Sequence, residues 1–189
     1  MKKNIIHIVI TLIILIISII LDKQITLLIA SNRLNFLNIF FKLISYLAST
    51  TGIIIILLIS LLFVKDKNKF IKKSLLVILT ALIITWILKL IIARPRPFTV
   101  LQIKNLIEVS KYSFPSGHAT AAFAILPILI EEFKKIKYVL IMIALLILYS
   151  RIYLGIHYLT DVIMGALIGY SSYLFYRDKI KGKKRKVKS

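Results

Sequence analysis

Lys111-Tyr-Ser-Phe-Pro-Ser-Gly-His118-Ala-Thr120 is the stretch where a polar loop runs into an apolar helix. Pro115, Ser116 and Gly117 stand where that helix begins, and His118 follows them. A helix N-terminus carries unpaired backbone N–H groups and the positive end of the helix dipole, so it attracts anions, phosphate above all. Gly117 lets the backbone come close to a ligand, and Ser116 can cap the helix or donate its hydroxyl. His118 stands within reach of a proton in transit. The rest of the chain brings three cations, a second histidine and one carboxylate toward this point.

Outward from that stretch the chain is overwhelmingly apolar. Its 189 residues are enough for one domain. They are 59% hydrophobic with a mean hydropathy of +0.92, far above a soluble globular protein. Several runs approach or exceed the roughly 18–20 apolar residues that cross a bilayer. The composition therefore predicts an all-α polytopic membrane protein and excludes a buried soluble core. The net charge of +20 does not indicate a nucleic-acid partner. The cations sit in short connections and in the tail, between apolar spans, where the positive-inside bias and attraction to anionic lipid headgroups account for them. With no cysteine, disulfides and thiolate metal sites are excluded.

Six spans are expected, at residues 5–21, 53–64, 74–92, 116–130, 138–153 and 157–176. The first lacks a signal-peptide cleavage site and is read as retained. Residues 22–33 read as a polar connection, and 34–47, with Phe36, Phe40, Phe41 and Tyr46, as a short interfacial helix after the first span. Pro95 and Pro97 should end the third span, and Pro127 should kink the fourth. Residues 98–113 form the longest polar loop. Residues 1–177 make one six-helix transmembrane domain, and 178–189 a basic tail expected to be disordered. Six crossings put both termini on one side, and 18 of the 27 Lys and Arg residues fall there. That side is the cytoplasm, so the Pro115–His118 stretch faces outward.

Polar groups in costly places are the candidates for chemistry. Lys89 lies about one turn inside the third span, where a lysine is either functional or snorkels to the interface. Arg94 and Arg96 follow in a rigid Ala-Arg-Pro-Arg-Pro stretch whose guanidinium groups suit bidentate phosphate contact, although alone it is an ordinary basic loop. His157 and Asp161, four apart, share a helix face. The carboxylate would fix one imidazole tautomer and leave the other nitrogen free as a nucleophile, or the pair is only a polar staple between helices.

Three segments together resemble the signature of the type-2 phosphatidate phosphatase superfamily, which includes lipid phosphatases, glucose-6-phosphatase and vanadium haloperoxidases. They are Lys89 through Arg96-Pro97, Pro115-Ser116-Gly117-His118, and Ser150-Arg151 through His157 to Asp161, in order and without departure. The resemblance implies a metal-independent phosphatase. His157 is likened to a nucleophile that forms a phosphohistidine, Asp161 to its orienting partner, and His118 to the general acid. Lys89, Arg96, Arg151, Ser116 and the Gly117 amide are likened to the groups that hold the phosphoryl oxygens. Arg94 lies outside the signature, at best supporting the site or touching a substrate headgroup.

Of the seven acids only Asp161 and Glu108 are expected near the site, too few for a two-metal phosphatase, so no metal or other cofactor is expected. His7 reads as structural. The leading reading is an integral-membrane lipid phosphate phosphatase of a bacterial cytoplasmic membrane. Its substrate is a lipid phosphomonoester or diphosphate at the outer leaflet, with undecaprenyl diphosphate and phosphatidylglycerol phosphate first. An anion or lipid transporter using the same charges is the alternative from another class. A soluble haloperoxidase is excluded by the apolar composition. Gly165 and Gly169 form a small-xxx-small pattern that can pack within the bundle or between copies, so oligomeric state stays open.

Overall fold

A computed structural model describes the backbone of residues 2–186 and the side chains of residues 9–177, together with that of Ile6. Among the described residues there are eight α-helices and no strand: α1 (Lys2–Ser31), α2 (Asn35–Tyr46), α3 (Thr50–Leu61), α4 (Lys67–Ile92), α5 (Pro97–Val100), α6 (Gly117–Glu132), α7 (Lys137–Tyr153) and α8 (Leu159–Lys186). Their starts follow from local chemistry. Ser49 accepts from the Gly52 N–H at 3.1 Å to open α3, and Asp66 accepts from the Lys69 N–H at 3.0 Å to open α4. α4 stops at Ile92, ahead of the prolines, with Ala93 in the left-handed region at φ 46°.

Three helical segments are each long and apolar enough to cross a membrane: Val9–Ser31, Lys67–Ile92 and Lys134–Tyr153. α2 and α3, bent by 63° at their break, pass the same test as a pair and make a fourth. Only 17% of the apolar window of α1 and of α4 is buried against protein, so their outer faces are hydrocarbon surface. The expected count of six also needs α6 and α8, which length and composition do not single out. They form the centre. Ala119, Thr120, Ala121, Ala122, Ala124, Ile125, Ile128 and Leu129 of α6 are all buried.

α6 and α8 approach backbone to backbone. A Cβ on Gly165 would lie 2.5 Å from the Ser116 carbonyl oxygen, and one on Gly169 2.3 Å from that of Thr120. The glycine pair therefore packs within the bundle. Thr85 of α4 and Thr120 of α6 share a buried hydrogen bond of 2.9 Å. At one end of the bundle Glu131 of α6 accepts from Lys73 of α4 and Tyr173 of α8. The opposite end gathers the C-terminus of α4 and the N-termini of α6 and α8.

Three expectations change. Residues 22–33 are not a polar connection: α1 runs through them to Ser31. Hydropathy drops at Asp22, Lys23 and Gln24, but Lys23 and Gln24 are exposed while Asp22 turns inward, in line with buried Ser18 and Thr26. α4 begins at Lys67, seven residues ahead of the expected start of the third span at residue 74. The backbone of α8 continues through the basic segment to Lys186, where disorder was expected. Residues 187–189 and the side chain of His7 lie outside the described residues.

The close approach of α6 and α8 has a measurable consequence. Gly169→Ala drives a methyl into a backbone carbonyl that cannot yield, an overpacking cost of about 1–3 kcal/mol. Its melting temperature in detergent should fall, whereas Gly117→Ala, where an added Cβ meets nothing within 4 Å, should melt with the wild type.

Candidate active site

The site is assembled from helix ends. Lys89 stands in the last turn of α4. The left-handed Ala93 turns the chain into Arg94-Pro95-Arg96-Pro97, which leads into α5. An isolated antiparallel bridge between Pro95 and Tyr112, with the Ser113 N–H donating to the Arg94 carbonyl at 2.9 Å, brings the far end of the loop back to its beginning. The chain thus enters α6 beside the place where it left α4. Ser116 caps α6, and its own N–H donates to the Asp161 carbonyl at 2.9 Å, which seats the start of α6 on the start of α8. After α7, Gly155 at φ +77° reverses the chain and delivers His157 to the same place.

His157 is 2% exposed and Asp161 fully buried. His157 Nδ1 lies 3.3 Å from Asp161 Oδ2, which also accepts from the Tyr158 N–H at 2.9 Å. The carboxylate can only accept, so Nδ1 carries the proton and Nε2 presents its lone pair. Nε2 lies 3.4 Å from Arg96 Nη1. Arg96 donates further to the Ile156 carbonyl at 2.7 Å and, through Nε, to the Ser110 carbonyl at 2.5 Å. Lys89 Nζ donates to the Tyr112 and Ser113 carbonyls at 3.1 and 3.4 Å. Arg151 donates to the hydroxyl of Ser45 on α2, and its buried Nε has no hydrogen-bond partner.

These three cations hydrogen-bond only neutral groups, so their charge is left for something else. The same charges act on both histidines: Arg151, Arg96 and Lys89 all bear on His118, as does His157 itself. Burial first, and then Arg151, Arg96 and Lys89, hold the His157 imidazole well below the ordinary histidine range, so it is neutral at pH 7. Burial lowers Arg96 to about 10, which leaves it charged. Gly117 and His118 are only half-buried, and the space beside Gly117 is open. The arrangement sets a neutral, buried imidazole nitrogen beside concentrated positive charge and a helix N-terminus, a combination that attracts anions.

All eight residues singled out from the sequence belong to these helix ends, but the surroundings hold more than was expected. Arg94 is bound on both sides, donating to Asp161 Oδ1 at 2.9 Å and to Asp22 Oδ2 at 2.8 Å. Its guanidinium lies 3.9 Å over the ring of Tyr158. Asp22, absent from the expected surroundings, also accepts from the Thr160 N–H at 2.8 Å and the Thr160 hydroxyl at 2.5 Å. Among the described residues Glu108 makes no ion pair. No three His, Asp or Glu side chains among the described residues converge as a metal-ligand set. The overlooked signal was the Ser18, Asp22, Thr26 spacing, one polar side chain every four residues down α1.

The sequence profile of the PAP2 superfamily matches residues 70–184. The undecaprenyl-diphosphatase BcrC of Bacillus subtilis (strain 168) is 35% identical over 104 residues, 52% of this chain and 52% of that protein. The match thus spans about half the length of that relative. An undecaprenyl-diphosphatase of Sulfolobus acidocaldarius is 31% identical over 146 residues, 68% of this chain and 71% of that one. The crystal structure of a transmembrane PAP2-type phosphatidylglycerolphosphate phosphatase from Bacillus subtilis superposes with a TM-score of 0.75 at 25% identity, covering 99% of this chain and 98% of that one.

The lowered basicity of His157 can be read directly. In protein labelled with 15N-histidine and held in detergent, the His157 ring should stay neutral as pH falls through 6.5, while an ordinary histidine gains its proton there. The signal missing from His157→Ala assigns the resonance. A His157 that titrates at or above 6.5 would contradict the electrostatics described.

Proposed function

The chain belongs to the PAP2 superfamily, and from that premise we propose that it is an integral-membrane lipid phosphate phosphatase that works without a metal ion. The carrying observation is the neutral His157 nitrogen facing Arg96, in the common field of Lys89, Arg96 and Arg151, whose charges no carboxylate neutralises. A phosphoryl group brings the missing negative charge.

In the proposed reaction the phosphoryl oxygens lie among Lys89, Arg96, Arg151, the Ser116 hydroxyl and the Gly117 amide. His157 Nε2 attacks phosphorus while Asp161 holds the proton on Nδ1. The P–O bond to the leaving group breaks, and His118, which takes up a proton when the phosphoryl charge offsets the cations around it, gives that proton to the leaving oxygen. Water then attacks the phosphohistidine, yields its proton to His118 and releases inorganic phosphate. The cations stabilise the five-coordinate transition state, in which charge on the equatorial oxygens is greatest.

The substrate class is a lipid phosphomonoester or diphosphate. Undecaprenyl diphosphate and phosphatidylglycerol phosphate lead because relatives carry those names. The named phosphatases do not favour the transporter alternative. In this reading α6 and α8 complete six crossings, as central spans sheltered by the others. The site opens at the outer face of a cytoplasmic membrane. Both termini lie in the cytoplasm, on the side that the Lys and Arg distribution favours.

The test is phosphate release from a panel of lipid phosphates and diphosphates in detergent with chelator present. His157→Ala should lose about ten-thousandfold or more in kcat, as expected for loss of a nucleophile. Undiminished turnover in that variant removes the mechanism. Vanadate, which adopts five-coordinate geometry, should inhibit competitively, and insensitivity to it counts against a phosphoryl pocket. Gly117→Ala should keep its fold but lose activity, because its methyl enters the open space assigned to phosphate.

A further inference from the structure

Asp22 is a carboxylate within α1, 3% exposed, on a helix whose outer face is hydrocarbon surface. A charge in such a span is costly and calls for a purpose. Capping α8 accounts for part of it: Asp22 accepts both the N–H and the hydroxyl of Thr160. A neutral asparagine oxygen could receive that N–H equally well. The charge itself is spent elsewhere, on Arg94, which Asp22 shares with Asp161.

The sharing has an electrostatic effect on the histidine beyond Asp161. Were Arg94 paired with Asp161 alone, the pair would be neutral and the Nδ1–H of His157 would face little negative charge. With Asp22 on the other side, the Asp22, Arg94 and Asp161 set keeps one net negative charge next to the ring. Every other charged neighbour of His157 is positive: Lys89 from α4, Arg96 from the following turn and Arg151 from α7. His118 of α6 and Tyr158, beneath Arg94, complete the titratable surroundings. Three cations thus depress the basicity of the nucleophile; the acidic set opposes them, together with a hydrogen bond to the Ser113 backbone.

We propose that Asp22 is a positioning residue for the reaction: with Arg94 shared between it and Asp161, its charge leaves the set one net negative charge beside the ring and so keeps His157 basic enough to attack phosphorus. The inference rests on the reading of His157 as the nucleophile. It ties α1, which lies outside the matched residues 70–184, to the chemistry.

The test is a charge cycle of Asp22→Asn, Arg94→Gln and the double variant, with His157→Ala alongside. Each folded variant is measured in detergent for kcat, KM, the acid limb of kcat/KM and the 15N titration of His157. Asp22→Asn takes one negative charge from the set, which disfavours the imidazolium. The acid limb should then move to lower pH by about one unit and kcat should fall about tenfold, with KM within about twofold. Arg94→Gln takes away a positive charge and should move the limb to higher pH. The double variant restores the net charge and should return the limb to its wild-type position, although kcat stays low. A double variant whose limb coincides with that of Arg94→Gln overturns the proposal, and this comparison stands even where Asp22→Asn alone does not fold. So does an Asp22→Asn protein that loses only melting temperature, or only affinity for substrate. Full activity in His157→Ala would instead sink the phosphohistidine reading beneath it, a distinct result.

Discussion

Positive charge held at the edge of hydrocarbon without a compensating anion is the constraint on which the rest of the structure depends. Removing a guanidinium or an ammonium from water costs several kcal/mol per ion unless hydrogen bonds and opposite charge return it. Lys89 and Arg96 regain part of this from backbone carbonyls, and Arg151 from a hydroxyl. Carbonyls solvate a cation but do not neutralise it. The architecture at this end of the bundle supplies them: the returning loop brings the Ser110, Tyr112 and Ser113 carbonyls to Arg96 and Lys89, and the turn at Gly155 brings that of Ile156 to Arg96. Around Lys89, Arg94, Arg96 and Arg151 stand the carboxylates of Asp22 and Asp161, and two positive charges remain over.

The same constraint explains why α6 and α8 meet so closely. In the proposed reaction one phosphoryl group lies between His118 of α6 and His157, just ahead of α8, which needs a fixed separation between the two helix starts. Gly165 and Gly169 remove the side chains that would hold α8 away, so the carbonyls of Ser116 and Thr120 rest against it. The Ser116 N–H, bonded to the Asp161 carbonyl, then sets the relative height of the two helix starts. Backbone contact of this kind leaves little freedom to slide.

Legibility in the sequence followed the distance between partners. The candidate residues, which meet at one end of the bundle, could be read because they stand in short segments at regular spacings, as in His157 with Asp161 or Ser116 with His118. The all-helical fold and most helix boundaries could be read because apolar runs end at prolines, glycines and charges. Asp22 could not be placed: its partner Thr160 lies 138 positions away, and a local drop in hydropathy looks the same whether a carboxylate ends a span or turns inward. Ser45, 106 positions from Arg151, was equally hidden within an interfacial helix. Arg94 stood outside the recurrent motif, although its role between two carboxylates is as well defined geometrically as that of any residue within it.

The hydrogen bond from Arg151 to Ser45 and the ion pair from Arg94 to Asp22 both reach into the first quarter of the chain. Residues 70–184, the part shared with the family profile, contain neither acceptor. A minimal catalytic fragment excised along that boundary would keep every signature residue and still cost Arg151 its hydroxyl acceptor and Arg94 one of its two carboxylates. Grafting the signature onto another helical scaffold meets the same difficulty, because the recurrent motif is smaller than the electrostatic unit that sustains it.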